Sequence, residues 1–60
     1  MAKQMSLKEG ETWLECVARY GRKHGKELEA LDLFKRYAQE LPDSDAAWET
    51  LYQLNLLDEV

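Results

Sequence analysis

The chain has 60 residues, with 8 Lys and Arg against 12 Asp and Glu, one His, one Cys and a formal net charge of −4. A chain this short buries only about 60% of the surface its unfolded form exposes, so a deep pocket would compete with the core for residues and an enzyme is not expected. A single Cys excludes an intrachain disulfide and a paired-Cys zinc site, and the absence of any long apolar run or signal-peptide h-region leads us to expect a cytoplasmic protein that does not enter membranes.

Two Trp, three Tyr and one Phe in so short a chain disfavour disorder. Residues 1–10 show no period and are expected to form a loose segment, leaving residues 11–60 as one domain. From residue 12 to 23, Trp13, Cys16, Val17 and Tyr20 recur at helical spacing and form one stripe. Thr12 and Glu15 have the three-residue spacing of a capping box, in which each side chain satisfies the other residue's amide. Ser6 and Glu9 make a rival box that would start the helix near Leu7, but Gly10 favours the start at Thr12. Gly21-Arg22-Lys23-His24-Gly25 reads as a helix C-terminus closed by a left-handed residue at Gly25.

A second helix is expected from Lys26 to Leu41. Its apolar stripe is Leu28, Leu31, Phe34, Ala38 and Leu41, widened by Ala30, Leu33 and Tyr37. Pro42, which lacks an amide hydrogen and disfavours helical backbone before it, closes that helix. In Asp43-Ser44-Asp45 one side chain is expected to cap a third helix, along which Ala47, Trp48, Leu51, Tyr52 and Leu54 follow. Asn55 is the expected left-handed stop, with Leu56 or Leu57 folding back onto the last turn. The fold class is therefore all-α, a small three-helix bundle.

Charge is divided unevenly along the chain. Residues 1–26 carry six basic and three acidic side chains, and residues 27–60 carry two basic and nine acidic. Arg19, Arg22, Lys23 and Lys26, with His24, form the one basic cluster, at the corner between the first two helices. Such a corner contacts phosphate in some nucleic-acid binders. The same cations also relieve the negative end of a helix dipole, and the acidic overall balance opposes nucleic-acid binding. A second helix opening Lys26-Glu27-Leu28-Glu29 would also turn carboxylates towards a DNA groove. Cys16 and His24 differ by about 80° of helical rotation and more than two turns of rise, so they do not form a nucleophile–base pair within one helix. His24 with Glu27 offers too few ligands for a structural zinc site. The carboxylates from Glu27 to Glu49 lack the spacing of a calcium loop and read as solvated faces. No cofactor is expected.

Apolar residues crowd the third helix on more than one side, whereas a three-helix domain buries one stripe per helix. Trp48, Tyr52 and Leu56, with Trp13, are the candidate partner-binding residues, because Trp and Tyr are enriched at interface hot spots. Trp13 and Trp48 are equally candidate core anchors. Tyr20 and Tyr37 either extend the patch or cap the core with their hydroxyls.

Three stretches carry a resemblance: Glu11-Thr12-Trp13-Leu14-Glu15, the run from Ala30 to Tyr37, and Ala46-Ala47-Trp48-Glu49-Thr50-Leu51-Tyr52 continuing through Leu54-Asn55-Leu56-Leu57. Together they resemble short uncharacterised helical proteins of bacteriophages and mobile elements. The resemblance covers most of residues 11–58 and consists of core and cap patterns, so it transfers no functional residue. It implies a cytoplasmic accessory protein acting on a host or viral protein. The three-helix layout is also similar to ubiquitin-associated domains, but Tyr20-Gly21-Arg22 replaces their Met-Gly-Phe type loop, which removes the basis for ubiquitin binding. The expected function is a small non-enzymatic interaction module that self-associates or docks on another protein. The alternatives are a nucleic-acid-associated factor using the basic corner, and an acidic mimic of nucleic acid using the face from Glu27 to Glu49.

Overall fold

In the computed structural model, which describes residues 2–59, helix α1 (Trp13–Lys23) begins at the expected capping box. The Glu15 amide donates to Thr12 Oγ1 at 3.1 Å, and the Thr12 amide donates to Glu15 Oε1 at 3.0 Å. Two amides that the first turn leaves without helical partners are thus satisfied. Cys16, Val17 and Tyr20 are buried, and Trp13 is half-buried against them. At the far end Gly25 is left-handed with φ 69°, the Lys26 amide donates to Gly21 O at 2.7 Å and the Gly25 amide to Arg22 O at 3.2 Å. These two bonds are the Schellman pair that closes a helix on a glycine.

Helix α2 spans Glu27–Tyr37, four residues short of the expected end at Leu41. Residues 38–41 form a tighter turn instead: the Gln39 amide donates to Arg36 O at 3.3 Å, and the Glu40 and Leu41 amides donate to Tyr37 O at 3.0 and 2.8 Å. These bonds satisfy the Arg36 and Tyr37 carbonyls ahead of Pro42, which has no proton to carry the helix further. The buried face follows the expected stripe except at its first residue. Ala30 and Phe34 are buried and Leu31, Tyr37 and Ala38 half-buried, whereas Leu28 is 83% exposed. Gly21 decides this. A Cβ at that position would lie 2.8 Å from Glu27 Cα and 3.0 Å from Ala30 Cβ, so α1 and α2 touch almost backbone to backbone and the Ala30 side of α2 must face inward. Leu28, two residues and about 200° of rotation from Ala30, is carried to the outside.

Helix α3 (Asp43–Gln53) has Pro42 at its N-cap and no side-chain cap, so none of Asp43, Ser44 and Asp45 plays the expected part. The Ala46 amide donates to Pro42 O at 2.8 Å, which places all three residues inside the first turn. There Asp43 and Asp45 oppose the positive end of the helix dipole. Ala46, Ala47, Thr50 and Leu51 are buried, and the Thr50 hydroxyl satisfies itself on Ala46 O at 2.7 Å. Asn55, with φ 58°, ends the helix as expected. The Leu56 amide reaches back to Leu51 O at 2.8 Å and the Asn55 amide to Tyr52 O at 3.1 Å, folding Leu56 and Leu57 into the core.

The expectation of a loose segment over residues 1–10 does not describe residues 3–8. Strand β1 (Lys3–Gln4) pairs antiparallel with β2 (Asp58–Glu59), Lys3 opposite Glu59 and Gln4 opposite Asp58. Just beyond it, the Ser6 amide donates to the Tyr20 hydroxyl at 2.9 Å, and that hydroxyl donates to Asp58 Oδ2 at 2.9 Å. One buried tyrosine thereby ties the incoming and outgoing chain to α1. Each pair of helices is in contact, so the architecture is the all-α, small three-helix bundle, with a minimal ribbon joining its two ends.

Candidate functional site

Trp48 and Tyr52 stand one turn apart on the outer face of α3, 37% and 48% exposed. Their rings stack with centroids 4.9 Å apart and planes 14° from parallel. Stacking covers one face of each ring, and the exposed remainder of the pair is apolar surface in water. Lys3, brought across from the other end of the chain by the β1–β2 pairing, places Nζ 5.7 Å from the Tyr52 ring centroid. The same ammonium donates to Asn55 Oδ1 at 2.8 Å, and this bond fixes it at the C-terminal end of the aromatic pair. Asp45, Trp48 and Tyr52 follow at intervals of three and four, which aligns them along one side of the helix, and Asn55 lies just past its end. Glu49, one turn from both Asp45 and Tyr52, flanks that line.

Two of the expected partner-binding residues fall elsewhere. Leu56 is only 2% exposed, because the left-handed Asn55 turns the chain and delivers Leu56 to the core. It is a core residue. Trp13 packs against the core from α1 and takes no part in the stacked pair. Of the two tyrosines with open roles, Tyr20 is buried with its hydroxyl bonded, and Tyr37 is half-buried against the core.

The basic corner is largely neutralised by its own chain. Arg19 grips Glu11 through two bonds of 3.0 and 3.1 Å and donates to Ser6 O at 2.7 Å. Its bonds to Glu11 raise the Arg19 pKa and, with the Lys8 amide, hold the Glu11 carboxyl below its ordinary range. Arg22 pairs with Glu27 at 3.0 Å and Lys23 with Asp58 at 3.7 Å. Lys26 remains exposed without an ion pair among the described residues. Beside it lies a shallow open depression of about 370 Å³ lined by Arg22, Gly25, Lys26, Glu27, Leu28 and Glu29, where carboxylates match the cations in number. Of the four candidate phosphate ligands, Arg19 is held by Glu11 and Ser6, Arg22 and Lys23 have a carboxylate partner on the exposed surface, and Lys26 has none among the described residues.

Cys16 is fully buried, and burial pushes its thiol pKa up. Its Sγ lies 3.5 Å from Ser6 O, while His24 is exposed at the C-cap more than two turns away, so thiol and imidazole are not neighbours. Among the described residues no three or more His, Cys, Asp and Glu side chains gather closely enough to hold a metal ion, and no helix is long and apolar enough to cross a membrane. No protein family, curated protein or solved structure matches this chain.

The flanking of the aromatic pair by Lys3 and Asn55 has no signal in the sequence, because Lys3 and Asn55 are 52 positions apart. Asp45 and Glu49 were legible as a line with Trp48 and Tyr52 at i, i+3, i+4 and i+7, a pattern that reads as an exposed helix face once the burial of Ala46, Ala47 and Leu51 fixes the opposite side.

Proposed function

We propose that the chain is a small non-enzymatic interaction module that docks on a protein partner through the Trp48–Tyr52 pair. One observation carries the reading: the two rings stack on each other in water, while much of the core is filled by Cys16, Val17, Ala30, Ala46 and Ala47. Fully burying a large apolar side chain is worth about 1.5–3 kcal/mol, so the exposed third of Trp48 and half of Tyr52 hold a part of that energy which folding has not used. The side chains are also held in place by their mutual contact and by Lys3 at one end, which reduces the entropy lost on binding. The proposed setting is cytoplasmic. The resemblance to proteins of bacteriophages and mobile elements favours a host or viral protein as partner over a second copy of this chain. The neutralised basic corner lends nothing to a nucleic-acid role.

The test is the molar mass in solution by light scattering over a dilution series, together with capture of proteins from a host extract, for the natural chain and for Trp48→Ala and Tyr52→Ala. The expected result is a monomer whose specific captures are lost in both variants. Captures or assemblies that survive both substitutions, with the helical content unchanged, would overturn the assignment of this surface.

A further inference from the structure

The chemistry of the partner can be read from what surrounds the two rings; this step rests on the docking role proposed above. Helix α3 carries Asp43, Asp45 and Glu49 and no Lys or Arg along its length. None of the three carboxylates forms an ion pair among the described residues. Asp45 and Glu49 stand four residues apart on the exposed side, a spacing at which like charges repel and a cation between them gives relief. Asp45 also lies one turn before Trp48, which puts a carboxylate and a partly exposed indole on the same helix side at the N-terminal end of the line. At the other end the molecule has already placed a cation of its own, the Lys3 ammonium over Tyr52. The line is therefore occupied by positive charge at one end and is open, acidic and aromatic at the other.

We propose that the N-terminal half of this line receives an arginine side chain from a basic segment of the partner, its guanidinium lying on the Trp48 ring and pairing with Asp45 and Glu49. A planar guanidinium suits both tasks. It stacks on an aromatic face, for which indole is the strongest acceptor, while its edge donates to carboxylates. The uneven charge of the chain favours the same encounter at longer range, since residues 27–60 hold nine acids against two bases.

The experiment is a heteronuclear NMR titration of the whole isotope-labelled chain with three short peptides of equal length: arginine spaced by glycine, lysine spaced by glycine, and a neutral peptide with leucine in place of the cations. The arginine peptide is expected to move the Trp48 indole and the amides from Asp45 to Tyr52 first, and to bind more tightly than the lysine peptide. Asp45→Asn and Glu49→Gln, both surface changes that leave the fold intact, are each expected to weaken it several-fold. Trp48→Ala should weaken it about tenfold or more, and salt raised from roughly 50 to 300 mM should weaken it further. Three results would overturn the proposal. One is equal binding of the neutral peptide at Trp48, indifferent to Asp45→Asn and Glu49→Gln, which would leave the docking surface standing with an apolar partner. Another is arginine-induced shifts spread over all the acidic positions and unchanged by Trp48→Ala. The third is a dimer whose interface covers Trp48, which would make a second copy the occupant.

Discussion

Replacing Gly21 by alanine puts a methyl group where α1 and α2 nearly touch. The new Cβ would stand 2.8 Å from Glu27 Cα, 3.0 Å from Ala30 Cβ and 3.1 Å from Lys26 O. Two of these neighbours are backbone atoms, and Lys26 also donates its amide to Gly21 O, so the turn cannot yield without disturbing the bonds that close α1. Overpacking of this kind costs towards the upper end of about 1–3 kcal/mol. Against it stands the better helix propensity of alanine, about 1 kcal/mol. A net loss of about 2 kcal/mol follows, which in a domain of this size lowers Tm by about 8–16 °C. The control is Gly25→Ala, where nothing lies within 4 Å of the added carbon and only the left-handed backbone, φ 69°, is unfavourable, at about 1–2 kcal/mol. Urea unfolding followed by far-ultraviolet circular dichroism reads both, and a crowded Gly21→Ala interior should also shift the amide resonances of residues 26–30. A Gly21→Ala protein as stable as the natural chain would refute the close approach of the two helices, and with it the reason given for turning Leu28 outward.

Tyr20→Phe removes the hydroxyl that accepts from Ser6 and donates to Asp58, and should lower stability by about 1–2 kcal/mol while speeding hydrogen exchange at the Ser6 amide; an unchanged exchange rate there would show that the ends of the chain are not held through Tyr20. Glu11, whose carboxyl is held below its ordinary 4.5 first by the Arg19 guanidinium and then by the Lys8 amide, contributes stability that is complete above that value and disappears as pH falls through the folded one. Glu11→Gln should therefore be less stable at neutral pH and lose less stability than the natural chain on acidification, and acid unfolding curves of the same slope would contradict the Arg19 contact.

The helix ends were the most legible part of this fold, because each is decided by a few adjacent residues. Thr12 with Glu15, Gly25 and Asn55 mark boundaries through local bonds that the sequence states directly, whereas α2 ends four residues before the close expected from Pro42. Along α2 the residues Leu31, Phe34, Ala38 and Leu41 face the core as their spacing predicts, and Leu28 alone departs from that stripe. The outward turn of Leu28 is set by Gly21, a residue on another element whose importance is the absence of a side chain. The third-helix cap was misplaced for a related reason: three good capping residues follow Pro42, but proline itself supplies the first carbonyl and moves them all into the helix. Of the docking surface, Trp48 and Tyr52 were visible as surplus aromatic residues on a crowded helix. Leu56 was assigned to them by helical spacing, which no longer applies beyond a left-handed residue. Two-residue strands have no period to detect, so the arrival of Lys3 beside Tyr52 is information held only in the tertiary structure.

The pairing of Lys3 with Glu59 brings the two ends of the domain to within about one strand spacing, roughly 5 Å. A domain that begins and ends at one point can be set whole into a surface loop of another protein without stretching either. The same geometry makes the ends a poor place for a fluorescent label or an affinity tag, since the ribbon carries the Lys3 ammonium that lies over Tyr52. A circular permutant joined across residues 3 and 59 and opened at the exposed turn around residue 25 would take both attachment points off the ribbon that carries Lys3.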